Sequence, residues 1–162
     1  MRAFAMRTFA VALFTALLTG CGVLGSSSLR EADVAGSYAV DTYRLEPTAG
    51  LDATDFTRGR RLPDDLRLVF REGTVEALQG SGRVALASGS YTIRGREVQV
   101  RWDDLGPLAD AQMPRQIEFD ADRGRLRADV LLTDLDLEEI SDEYDGISRG
   151  DARLRLDLRR EM

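Results

Sequence analysis

From Ser37 to the end of the chain, apolar and polar residues alternate along short runs, and glycine-bearing turns break those runs at close intervals. A period of two suits a strand with one buried face and does not suit a helix, so the pattern predicts an all-β domain built from hairpins. Three hairpins can be registered from the residues alone. With Glu72-Gly73 as a two-residue turn, Phe70 faces Val75 and Leu68 faces Ala77. With Gly95-Arg96 as the next turn, Arg94 faces Glu97, Ile93 faces Val98, Tyr91 faces Val100, and Trp102 lies opposite Gly89. With Ala121–Gly124 as a four-residue loop, Phe119 meets Leu126 and Ile117 meets Ala128, while Asp120 meets Arg125 and Glu118 meets Arg127 on the other face. A one-residue slip would turn every side chain to the wrong face, so this matching of like with like constrains the register.

Two further strands flank the hairpins. Ser37–Leu45 sets Tyr38 and Val40 on one face. Ala152–Arg160 alternates Leu154, Leu156 and Leu158 with Arg153, Arg155, Asp157 and Arg159, as a strand that closes a barrel or completes a sheet edge would. Glu46–Asp65 reads as a long irregular stretch. Thr133–Ser148 is a second long connection, with room for one helical turn around Leu135–Ile140. The expectation is a single small antiparallel meander, barrel or sandwich, of about eight strands. A chain of 162 residues suits one such domain, whose core can stabilise it without metals or cross-links.

The start of the chain has a different character. Residues 1–20, MRAFAMRTFAVALFTALLTG, join a short cationic start (Arg2, Arg7) to an apolar run from Phe9 to Leu18. That run is about half of the roughly twenty residues a membrane-spanning helix needs, and it ends in small residues, as secretory signals do. Leu18-Thr19-Gly20-Cys21 closely resembles the lipobox of bacterial lipoproteins. The resemblance implies a thioether-linked diacylglycerol on Cys21, with palmitate-like chains, and cleavage just before it. Two or three acyl chains hold a protein on a membrane essentially permanently, whereas one does not. Gly22 stands where an aspartate would favour inner-membrane retention in enteric bacteria, so by analogy the outer membrane is the expected address. The chain then divides into a lipoprotein signal peptide (1–20), a lipidated cysteine and flexible linker (21–33) that includes GVLGSSS, and a β-barrel domain (34–162).

The strands carry a second likeness. Gly36-Ser37-Tyr38, Leu68-Val69-Phe70-Arg71-Glu72-Gly73-Thr74-Val75 and Gly89-Ser90-Tyr91-Thr92-Ile93-Arg94-Gly95-Arg96-Glu97-Val98 resemble recurrent strand and hairpin motifs of lipocalin-like domains, over roughly Gly36 to Trp102. Tyr38 stands where true lipocalins have a tryptophan, and the basic residue that covers it there has no clear equivalent. The resemblance implies a barrel able to carry a small apolar ligand. In such a barrel Tyr38, Tyr43, Tyr91 and Trp102 would line the cavity; as plain core, the same aromatics would simply fill it.

Little in the chain speaks for catalysis. There is no histidine, which removes the commonest general base and the commonest zinc ligand, and the single cysteine is assigned to lipid. The glycines fall at turns and not in a phosphate-binding loop. Asp134, Asp136, Glu138, Glu139, Asp142, Glu143 and Asp145 crowd one segment but lack the spacing of a calcium loop, and read as a solvated acidic stretch. Arg58-Gly59-Arg60-Arg61 could be an anion or partner patch, or ordinary surface arginine. Formal charge is −6, and −8 once Arg2 and Arg7 leave with the signal, which disfavours nucleic acid and electrostatic docking on anionic lipid. No catalytic residue, metal or cofactor is expected. The predicted role is that of a lipid-anchored, non-enzymatic envelope lipoprotein acting in protein interaction or envelope structure, with Glu46–Asp65 and Thr133–Ser148 as recognition segments. The alternative is a lipocalin-like carrier of a small apolar ligand.

Overall fold

Alternating strands and tight turns generate nine strands: β1 (Gly36–Pro47), β2 (Thr54–Asp55), β3 (Arg67–Arg71), β4 (Thr74–Gln79), β5 (Val84–Arg94), β6 (Glu97–Asp104), β7 (Gln116–Asp122), β8 (Arg125–Leu135) and β9 (Gly150–Arg160). A computed structural model describes residues 28–48, 50–57, 62–63, 65–80 and 84–162. The expected signal, Cys21 and the Arg58–Arg61 cluster lie outside the described residues. Every pairing is antiparallel. β1 and β3 to β9 run as a meander, and β9 returns to β1, closing an eight-stranded barrel. β2 lies outside the ring as a two-residue strip on the far end of β1. One short helix, α1 (Glu31–Val34), precedes the barrel.

Eight strands leave an interior just wide enough for side chains. The inward series of β3 to β9 are apolar, as their alternation requires: Leu68 and Phe70, Val75 and Ala77, Val98 and Val100, Ile117 and Phe119, and Leu154, Leu156 and Leu158 are all buried. β1 obeys a subtler rule. Tyr38 is inward and even-numbered, whereas the buried Tyr43 and Leu45 are odd-numbered. A bulge between Val40 and Thr42 reconciles them, because one extra residue, Asp41, switches the strand's parity. Sequence alternation alone, which placed Tyr38 with Val40, did not reveal this switch.

Two of the three expected hairpins form in the expected register. Phe70 pairs with Val75 and Leu68 with Ala77; Arg94, Ile93, Tyr91 and Gly89 pair with Glu97, Val98, Val100 and Trp102. The third is corrected. Its turn is not the four-residue loop Ala121–Gly124 but the pair Arg123-Gly124, both at positive φ (45° and 79°), and the partners are Asp120 with Arg127, Ala121 with Leu126, and Asp122 with Arg125. Two positive-φ residues give the twist that joins right-handed strands most smoothly. The register moves by two, which keeps every residue on its face, so polar patterning could not distinguish the alternatives.

The long segments are more ordered than alternation suggested. β1 runs on to Pro47, β2 interrupts Glu46–Asp65, and Phe56 and Leu62 from that stretch enter the core. In Thr133–Ser148, β8 continues to Leu135, and the helical turn comes later than expected. Ile140 and Ser141 donate to the Leu137 carbonyl (3.0 and 3.3 Å), and a 3-10 turn follows at Asp142–Tyr144. Leu137, Ile140 and Tyr144 are buried.

The two barrel ends therefore differ. At one end sit the two-residue turns, covered by α1: Val34 is buried, and the Arg160 guanidinium donates to the Ala35 carbonyl. At the other end sit the long connections, whose apolar residues Phe56, Leu108, Met113, Leu137 and Tyr144 close the interior.

Gly89 tests the packing directly. A Cβ there would lie 2.8 Å from Trp102 Cα and closer still to the Arg101 carbonyl oxygen, both backbone groups that cannot yield cheaply. Gly89→Ala is expected to lower unfolding free energy by about 2–4 kcal/mol in urea titration, against no more than about 0.5 kcal/mol for the exposed neighbour change Ser88→Ala.

Candidate functional site

Tyr38, Tyr43, Tyr91 and Trp102 are brought inside the barrel and are all buried. Among the described residues Tyr91 borders a hollow of about 580 Å³ and Tyr38 a separate one of about 620 Å³. Tyr38 and Tyr91 both pack edge-on against Phe70, at centroid separations of 5.4 and 5.1 Å, while Tyr43 packs against Phe56 at 5.3 Å. Such pairs add stability beyond the area they bury. Their hydroxyls are engaged as well. Tyr38 donates to the Val34 carbonyl (2.9 Å), Tyr43 to the Ala111 carbonyl (2.9 Å), and Tyr91 to the Glu31 carboxylate. The aromatics thus act as struts: two hold α1 over the turn end, and the third holds the 105–115 connection at the loop end. Trp102 differs, because its indole Nε1 is buried with no hydrogen-bond partner among the described residues.

The acidic segment does not converge. Asp134 pairs with Arg149, and Glu138 accepts from the Gly146 amide at 2.8 Å. Among the described residues no three His, Cys, Asp or Glu side chains gather as a metal site.

The outer wall offers more. Across β1, β8 and β9, outward arginines and acids interlock: Arg159 and Arg125 meet Asp41, Arg125 and Arg127 meet Asp157, Arg155 bridges Glu46 and Asp129, and Arg153 joins Asp129. Single exposed pairs contribute only about 0.2–1 kcal/mol, but here the side chains share partners and restrain one another. Next to this network, two hollows of about 580 and 640 Å³ lie along the junction of β7 and β8. Both are lined by Glu118 and Val130. The first adds Ser90, Thr92, Gln99 and Arg101 from β5 and β6; the second adds Glu97, Asp120, Arg127, Asp129 and Leu131. Leu131 is 55% exposed, unusual for a leucine in a strand. Sequence reasoning missed this region. Its one legible sign was Val130-Leu131-Leu132, a break in the strict alternation of β8.

The buried phenols set an alkaline limit. Burial pushes the Tyr43 hydroxyl well above its ordinary 10.0. Burial does the same at Tyr91, reinforced by the bond to Glu31 and that carboxylate's charge, and at Tyr38, where the Arg160 charge opposes it. A phenol held neutral in the fold ionises readily once unfolded, so above about pH 10 the unfolded chain binds fewer protons than the folded one and stability falls as pH rises. Below that pH these groups contribute no slope. Urea midpoints measured from pH 8 to 11 are expected to stay level with respect to the tyrosines and then drop. Tyr43→Phe is expected to reduce that drop, while costing about 1–3 kcal/mol at neutral pH by leaving the Ala111 carbonyl unpaired.

No family model, curated protein or solved structure matches this chain.

Proposed function

We propose that this protein is a lipid-anchored envelope lipoprotein, tethered through Cys21, whose barrel acts as a protein-interaction module. The anchoring half rests on the Leu18-Thr19-Gly20-Cys21 lipobox and the short apolar segment before it. The interaction half is carried by one observation: the aromatics that a carrier would set around a cavity are packed against one another and against Phe56 and Phe70, with the three tyrosine hydroxyls engaged. A filled interior leaves the outer wall and the long connections as the surfaces that can recognise a partner. The fatty chains would keep the module at the membrane and so decide which proteins it meets.

A second reading, a carrier of a small apolar ligand, is favoured by the unpartnered Trp102 Nε1. A buried N–H without an acceptor costs about 1–3 kcal/mol, which a ligand oxygen would relieve.

Two measurements test these readings. Cys21→Ser, expressed in a bacterium that processes lipoproteins, is expected to move the protein from the detergent phase to the aqueous phase; continued partitioning with membrane would overturn the anchor. Native mass spectrometry of the acyl-free chain is expected to show the polypeptide mass alone, and a co-purifying small molecule would favour the carrier.

A further inference from the structure

β7 and β8 separate soon after their turn. They pair at three positions, Asp122 with Arg125, Ala121 with Leu126 and Asp120 with Arg127. Beyond these, β7 keeps its pairing with β6 back to Gln116, and β8 keeps its pairing with β9 through Leu132. Gln116–Phe119 and Ala128–Leu132 therefore each have one edge in a ladder and one edge with no strand partner among the described residues. A strand edge presents a row of backbone donors and acceptors that an added extended chain can satisfy. Burial agrees with this geometry. In the inward series Leu126 is buried where β7 pairs beside it and Ala128, just past the last pair, is buried too, but Val130 and Leu132 farther on are only half-buried.

The side chains along this seam specify the occupant. On the β8 flank the charges are satisfied internally, through Arg127 with Asp157 and Arg155 with Asp129. On the β7 flank three acids stand together. Glu97 pairs across the ladder with Asp120, and Glu118 holds the Glu97 carboxyl above its ordinary range. Like charges set opposite one another are unfavourable, and basic groups would relieve them. Val130 and Leu132 add half-buried apolar surface on the inner face, and Leu131 is exposed on the outer face beside the acids.

We infer that the seam is a docking site for an extended, basic segment of a partner protein, which adds as a strand to the free edge of β8 over Ala128–Leu132. Its arginines or lysines face Glu97, Glu118 and Asp120 on the outer face, and its apolar side chains cover Val130 and Leu132 on the inner one. A second copy of this chain is the poorer occupant, because its own seam brings the same carboxylates. The inference rests on the interaction reading above and gives it a site and a partner chemistry.

Residue-resolved amide exchange on the purified chain tests it, with an acetylated peptide of alternating arginine and valine as probe and its glutamate-valine counterpart as control. In the free protein, the amides of Ala128–Leu132 that point into the seam are expected to exchange about tenfold or more faster than those of Leu154–Leu158. The arginine-valine peptide is expected to slow them and the control peptide to leave them unchanged. Glu118→Arg is expected to weaken the peptide about fivefold, the worth of roughly 1 kcal/mol, with the urea midpoint nearly unmoved. Seam amides already protected in the free protein, equal binding of the acidic peptide, or protection elsewhere would each overturn the site. Crosslinking in cells separates the two levels. A partner held at the long connections, with no seam protection, sinks the seam and leaves the interaction reading standing; seam protection without any recurrent cellular partner sinks the interaction reading.

Discussion

One extra residue in the first strand closes this barrel. Asp41 has no partner in the β1–β9 ladder, and the bulge it creates lets β1 bury Tyr38 before it and Tyr43 and Leu45 after it. A strand of fixed parity would send one set into water, at a cost of about 1.5–3 kcal/mol for each large side chain left exposed. With the switch, β1 follows β9 from Tyr38 to Pro47, while its other edge passes from β3 to β2. Closure on β9 removes the two long free edges that an open eight-stranded meander would present. The same Asp41 receives Arg159 and Arg125, so the residue that bends the strand also ties the outer ion-pair network to it.

Closure decides where function can reside. The side chains pointing into a ring this narrow meet one another, and aromatic contacts through Phe70 and Phe56 occupy the middle. On the interaction reading proposed above, recognition falls to the outside: the long connections at one end, and the junction where β7 and β8 diverge. The turn end is covered by α1, held through Tyr38, Tyr91 and Arg160. Among the described residues the β7–β8 ladder holds three pairs and the β1–β3 ladder four, and the exposed Leu131 flanks the first of these.

The sequence by itself determined the class of fold, the strand faces outside β1 and two hairpin registers, because a period of two and a glycine turn are local properties: Phe70 against Val75 and Trp102 against Gly89 need only neighbouring residues to be read. It also carried the run Leu18-Thr19-Gly20-Cys21, whose likeness to a lipobox is legible because it is contiguous. Tertiary structure decided whatever depends on a distant partner. The Asp41 bulge answers to β9, more than a hundred residues away in the chain. The third register could shift by two because both alignments bury the same face, and only the turn's backbone chose between them. The seam between β7 and β8 is a failure of pairing, and no single strand's sequence records which neighbour it lacks.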